Sequence, residues 1–592
     1  MSDGLLHFNG INGSTGQYGL APMSGEELMK RICRESAPRN LEDLRRRRQQ
    51  DDQGSEQVAA LEAELAAEKQ KLPLLAAGSP ELASSLRRCA MLQKDLDLRK
   101  DKGVKEGIDA TQLAQAGWGV VFAHDADPAV KEALQPLLAL RSAQAGPRFK
   151  VYEGEAGYRP GESKSRFLVR HGADAAGPAD PQRLPYYLLL VGSPERIPFS
   201  FQYQLDVQYA TGRLHLDKLE EYAAYARSVV EVETRGLPLA RRLSFFGVAN
   251  PDDPATQLSA QQLVQPLHQA MQKAPHGFQV ELIPPGQANR AQLARMLGGA
   301  ETPALLFTAS HGVEFQCGDP RQLRHQGALL CQDWPGPRYH GDFKEDFYFA
   351  GEHLSSEASL RGMMVFGFAC YGAGTPRMDE FAGPRGAVDG RQAIAPRDFV
   401  ASLPMRMLGH PRGGCLAFIG HVDRAWGYSY TWPEARSKSQ TAAFESVLLR
   451  LLQGQPVGYA LEYFNQRYAE LSTVLTDLLQ EVSNNLDCDP YELAALWTAN
   501  NDARGYVVLG DPAARLRFSD QPRTDAQLAS VSSLIVPRAS PAAGADPVAP
   551  ALGVPRGLDD VGDEDWAKTP PAVQRAVLRL LAGAAPSSPG AP

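Results

Sequence analysis

Residues 303–312, PALLFTASHG, and 363–374, MMVFGFACYGAG, decide how this chain is read. Each is a continuous apolar run of strand length that stops at a reactive side chain. The first stops at His311 and the second at Cys370, and Gly312 and Gly372 follow closely. A run that is apolar on both faces belongs to a strand covered on both sides, as in a parallel sheet between helical layers. Functional groups in such sheets collect just past the carboxyl ends of the strands. A thiol needs a nearby imidazole to raise its thiolate fraction or to take its proton during attack. The backbone N–H groups around Gly312 and Cys370 would then be expected to point at a developing oxyanion. The two runs together predict a cysteine-nucleophile acyl-transfer site, with His311 as base and Cys370 as nucleophile.

Working outward, runs of the same kind recur at GVVFAH (119–124), YYLLLVG (186–192), LSFFGV (243–248), FQVELI (278–283), GCLAFIG (414–420) and GYVVLGD (505–511). Helical patterns separate them, one of them opened by Asp127-Pro128, a cap followed by a first-turn proline. The fold class is therefore α/β, in two adjacent units at 110–238 and 239–519, the second a mainly parallel six-stranded sheet with helices on both faces. Residues 1–39 read as an extended arm. Residues 40–109 read as a helical region, with Val58, Leu61, Leu65 and Leu72 in one stripe and a basic run at Arg45–Arg48. A solvated helical hairpin and a partner-binding coiled coil both fit that stretch. Residues 520–592 are rich in Ala, Pro, Ser and Gly, which predicts a disordered tail with a short amphipathic helix near 569–582.

Composition narrows the function classes. The 592 residues are 43% hydrophobic and 22% charged, with a net charge of -8, which argues against a dedicated nucleic-acid binder. No apolar run reaches membrane-spanning length, and MSDGLLHFNGINGSTG lacks the order of a secretory signal. The seven cysteines are scattered without a CxxC pair, so a reduced, cytoplasmic protein is expected. There is no G-x-S-x-G elbow, no P-loop and no EF-hand pattern, and no cofactor is expected. Between His311 and Cys370 lie Cys317, His325, Cys331, His340 and His353. Their irregular spacing reads as a structural loop rather than a zinc site.

SHG after one strand and AC-Y-G-x-G after the next resemble the caspase-like clan of cysteine peptidases, nearest to its bacterial CHAT-domain and gingipain-like members. GDPAARL (510–516) resembles the ending of those groups, and LLLVGSPERIP (188–198) with YATGRL (209–214) resembles the upstream half of a gingipain-type catalytic region. The resemblance implies a caspase-like catalytic domain and a Cys–His dyad that cleaves protein targets. It also implies activation by a partner protein or signal, in a bacterial defence or regulated cell-death system. The substrate pocket would be shaped by Asp379, Glu380, Asp423, Trp426 and Tyr428, for a basic or apolar residue before the scissile bond. Arg424 leaves open an acidic one, or a simple pair with Asp423. Segment 373–396, with Arg377, Arg385 and Arg391, would be an activation loop. A catalytically inactive scaffold that binds partners is the alternative from another class.

Overall fold

The structure, a computed structural model, describes residues 5–33, 103–236, 239–274, 277–379, 381, 392–431, 441–483 and 489–517. Most of the expected helical region at 40–109, and the whole tail with its 569–582 helix, lie outside those residues. In chain order the strands are β1 (Gly10–Asn12), β2 (Trp118–Phe122), β3 (Phe149–Tyr152), β4 (Tyr187–Val191), β5 (Ala210–Leu214), β6 (Arg242–Gly247), β7 (Gln279–Ile283) and β8 (Leu305–Ala309). They continue with β9 (Gly312–Glu314), β10 (Ala328–Leu330), β11 (Tyr348–Phe349), β12 (Met364–Phe368), β13 (Gly374–Thr375), β14 (Phe399–Val400), β15 (Ala417–His421) and β16 (Tyr506–Gly510).

Every apolar run singled out above becomes a strand of one ten-stranded sheet, in the order β3-β2-β4-β5-β16-β15-β12-β8-β6-β7. β2, β4, β8, β12, β15 and β16 are buried at every residue, as double-sided apolar runs require. The six strands expected of the second unit are contiguous in it. The sheet is parallel except at one junction, where β16 pairs antiparallel with β15 and parallel with β5. The strands therefore point one way in one half and the opposite way in the other. The carboxyl ends of β8, β12 and β15 lie at the edge where β5 and β16 begin. Phe307, Phe366, Phe444, Phe464 and Tyr506 pack, tilted or edge to face, in a continuous aromatic cluster that joins sheet to helices 442–452 and 462–483.

The two halves meet over a buried ionic knot. Arg141 donates through Nε to Asp511 at 2.6 Å and through both terminal nitrogens to Glu233 at 2.6 and 2.7 Å. Asp511 also accepts from the Trp118 indole at 2.9 Å and the Ala513 amide at 3.0 Å. Burial opposes the Arg141 charge, but its two carboxylates more than restore it and raise its pKa. The GDP motif thus has a structural task here. Its aspartate ties β16 to the first half, and a Cβ on Gly212 of YATGRL would lie 2.3 Å from the Gly510 carbonyl. Arg213, also fully buried, donates to Gln202 and to the carbonyls of Gly192 and Ile197, which holds the turn after β4. The Asp127 carboxylate caps helix Pro128–Ala133 through the Ala129 amide at 2.9 Å, as its position predicts.

The segment 313–360 is more than a connecting loop. β9, β10 and β11 form a small sheet with its own core of Val313, Phe315, Leu330, Trp334 and Tyr348. The fourth strand of that sheet is β1 from the amino-terminal arm, parallel to β9, with Ile11 in the core. Beyond it, Ser24 and Glu27 form a reciprocal cap that starts helix Gly25–Cys33. His325 bonds to Tyr348 and Glu352, and His353 bonds to Glu345. Among the described residues, no group of three His, Cys, Asp or Glu side chains is arranged to hold a metal ion. No described helix is long and apolar enough to cross a membrane.

Candidate active site

β6, β8 and β12 are neighbours in the sheet, and their carboxyl ends lie at the same edge. His311 follows β8 and Cys370 follows β12, both fully buried. The third residue, Asp253, comes from the segment after β6. Its carboxylate lies 2.8 Å from His311 Nε2 and also accepts from Thr256 at 2.5 Å and from Tyr18 at 2.7 Å. Burial alone would raise the Asp253 carboxyl, but the histidine and the two hydroxyl donors outweigh it and hold its pKa at about 2. With Nε2 committed to that carboxylate, Nδ1 is the remaining ring nitrogen, and it is buried without a hydrogen-bond partner. A carboxylate bonded to one nitrogen fixes the proton there and leaves the other as a base.

Asp253 had not been read from the sequence. The usable signal was its place: VANPDDP follows β6 at the edge where His311 and Cys370 emerge. Its own aspartate-proline pair instead suits a helix start, and helix Pro254–Ser259 does begin there.

Cys370 Sγ accepts from the Ala425 amide at 3.1 Å. Burial pushes the thiol pKa well up, and that amide only partly opposes the shift. The thiol is therefore protonated at neutral pH in this conformation. The backbone around the site is strained. Asp252, Tyr371 and Asp423 have φ of 55°, 58° and 74°, and are the non-glycine residues with positive φ among those described. They sit beside Asp253, beside Cys370, and in the loop that bonds Tyr371 N–H through the Asp423 carbonyl at 2.7 Å. Strain of this kind costs about 1–3 kcal/mol per residue and clusters where function demands a particular geometry. Gly312 is required by space, since a Cβ there would lie 1.8 Å from the Cys370 carbonyl oxygen.

The two N–H groups predicted as oxyanion donors converge on one oxygen. Gly312 N–H donates to the Asn9 carbonyl at 2.9 Å, and Cys370 N–H donates to the same oxygen at 3.3 Å.

The predicted pocket residues fare unevenly. Asp379 bonds Arg424 at 2.6 Å, and Asp423 lies 3.6 Å from the same guanidinium, so the two acids share one cation. Asp423 and Trp426 line a cleft of about 310 Å³, its open side included, with Phe381, Arg424, Thr498 and Asn501. Trp426 packs on Phe381 and Phe8. Tyr428 is buried away from that cleft, with its carbonyl accepting from Arg467 at 2.7 Å. In the predicted activation loop, the Arg377 amide bonds Asp398 at 2.7 Å, and Met378 pairs with Ala393 across the loop base. Glu380, Arg385 and Arg391 lie outside the described residues.

No family model matches the chain, and no curated protein does. Among solved structures, one described as "Structure of Protease" is similar with a TM-score of 0.39 and 15% identity. The match covers 68% of this chain and 78% of that one.

Proposed function

We infer that the chain is a cysteine endopeptidase in which Cys370, His311 and Asp253 act as nucleophile, base and orienting carboxylate. The observation that carries this reading is the convergence of the Gly312 and Cys370 amides on a single peptide carbonyl beside the Cys370 thiol. An acyl-transfer enzyme needs that arrangement and a packing cysteine does not. In the reaction, Sγ attacks the carbonyl carbon while its proton passes to His311 Nδ1. The two amides take the charge that develops on oxygen. The imidazolium, steadied by Asp253, gives the proton to the departing amine, and water then hydrolyses the thioester. The buried, protonated thiol fits a resting state that a signal or partner protein must open.

The test is a search for new protein termini after incubation with a proteome, run beside Cys370→Ala and His311→Ala. Termini that appear only with the intact dyad support the reading. Their absence from a protein whose thiol has been shown to be accessible refutes it and leaves the partner-binding scaffold.

A further inference from the structure

The amino-terminal arm crosses the candidate site, and its backbone contacts are those of a bound peptide. Upstream of Gly10 it runs antiparallel to the loop after β15. Gly427 N–H donates to the His7 carbonyl at 3.4 Å, Phe8 bridges Trp426, and Asn9 N–H donates to the Ala425 carbonyl at 3.1 Å. Downstream of Asn9 it becomes β1 and follows β9 in parallel, Gly10 opposite Gly312. Between the two stretches, the Asn9 carbonyl lies on the Gly312 and Cys370 amides. A Cβ on Gly10 would sit 3.5 Å from Cys370 Sγ and 2.7 Å from the Phe8 ring. Strand addition of this kind gives affinity through main-chain bonds and selectivity through side-chain positions.

We propose that residues His7–Gly10 are a tethered occupant of the substrate cleft, held in substrate register with the Asn9–Gly10 bond at the reacting position. The proposal rests on the peptidase reading for its meaning and adds to it a substrate class and a gate. The class is an extended peptide with an aromatic residue that packs on Trp426, then an enclosed, uncharged amide side chain, then glycine. Asn9 is only 2% exposed, so its position takes a side chain of about that size. Among the described residues, Asp379 and Asp423, which were expected to receive a basic group, already face the Arg424 guanidinium, and it is the Asn9 position, not theirs, that lies at the thiol. The gate is the arm itself. While it stays, Cys370 is dry and protonated; when it withdraws, solvent reaches the thiol.

The four described free cysteines supply the assay. Cys317 is exposed, while Cys331, Cys370 and Cys415 are buried. Iodoacetamide alkylation of the full chain, read site by site by peptide mass spectrometry, compares wild type with Phe8→Ala and Phe8→Asp, which loosen the arm at Trp426. Cys317 reacts in all three. The expected result is a Cys370 rate that rises about tenfold or more from wild type to Phe8→Asp, with Phe8→Ala between them and Cys331 and Cys415 still protected. Alkylation of Cys370 only in step with Cys331 and Cys415 would overturn the gate, because the fold rather than the arm would then cover the thiol. An unchanged Cys370 rate would overturn it too.

The register is tested with a synthetic peptide of residues 6–11 added to the Phe8→Asp protein. It should slow Cys370 alkylation, and its counterpart with Arg in place of Asn should protect at least tenfold less well. Equal protection by both, or none at millimolar peptide, rejects the register. Alkylation reads access and not turnover. Failure of the peptidase reading would appear separately, as an unlocked Cys370 that cuts nothing.

Discussion

Two buried charge clusters lie in the same sheet and have opposite characters. At the junction of the halves, Arg141 shares its guanidinium between Glu233 and Asp511, and Gln144, Trp118 and Ala513 bond to the same groups. At the carboxyl edge, Asp253 is well supplied with donors, yet His311 Nδ1 has no partner and Cys370 is a protonated thiol. Buried polar groups are normally paired, because an unpaired one keeps its desolvation cost without compensation. A saturated network serves to hold the chain. The capacity left open at His311 is what the proposed peptidase chemistry would draw on. The junction has its hydrogen-bonding capacity filled, and the edge keeps one ring nitrogen open.

This contrast can be broken by experiment. Cys370→Ala should abolish turnover, by about 10³-fold or more, and shift unfolding in urea by no more than about 1–2 kcal/mol. An equal loss of stability would make Cys370 a packing residue. Arg141→Met should do the reverse. It leaves two carboxylates buried without their cation and costs about 3–5 kcal/mol, while kcat of the folded fraction stays near wild type. Adding Glu233→Leu to it should recover part of that loss in a double-mutant cycle.

Asp253→Asn lies between these extremes. The amide presents the wrong partner to His311, so kcat should fall about 10²-fold or more with KM little changed. It should also alter the acid limb of stability. A carboxyl held at about 2, below its unfolded value near 4, contributes stability that is fully present above about pH 4. That contribution is lost as pH falls from about 4 to 2, so the Asn variant should lose less stability than wild type over that window. The smallest effect belongs to Tyr18→Phe, which removes one hydrogen bond to Asp253 and should cost about 1 kcal/mol with a few-fold drop in kcat. A silent Tyr18→Phe would show that the arm steadies the site through its backbone alone.

Much of this molecule was legible before the structure. Eight of the ten strand segments of the large sheet were, because continuous apolar runs of five or six residues between helical patterns have few other uses, whereas β3 (FKVY) and β5 (ATGRL) carry no such run. So were the positions of His311 and Cys370, each at the end of such a run with glycine close behind. The glycine beside His311 proved to be demanded by the Cys370 carbonyl rather than by a turn. Less legible was 313–360, whose short strands β9, β10 and β11 are two or three residues each, too short for a period to register. The pairing of Asp379 with Arg424 was not legible either. Asp379 and Arg424 are 45 positions apart and meet only through the loops that follow β12 and β15.

Local pattern by itself determined eight strand segments of the sheet and placed His311 and Cys370 at the ends of two of them, because burial on both faces and backbone geometry at a strand end are properties of neighbouring residues. The tertiary structure alone decided three things. It reversed the strand direction at β16, it chose Asp253 as the partner of His311, and it laid Asn9 across Gly312 and Cys370. Each of these depends on contacts between segments dozens to hundreds of residues apart. No periodicity of a single segment encodes such a contact; it forms only when the sheet brings distant ends to a common edge.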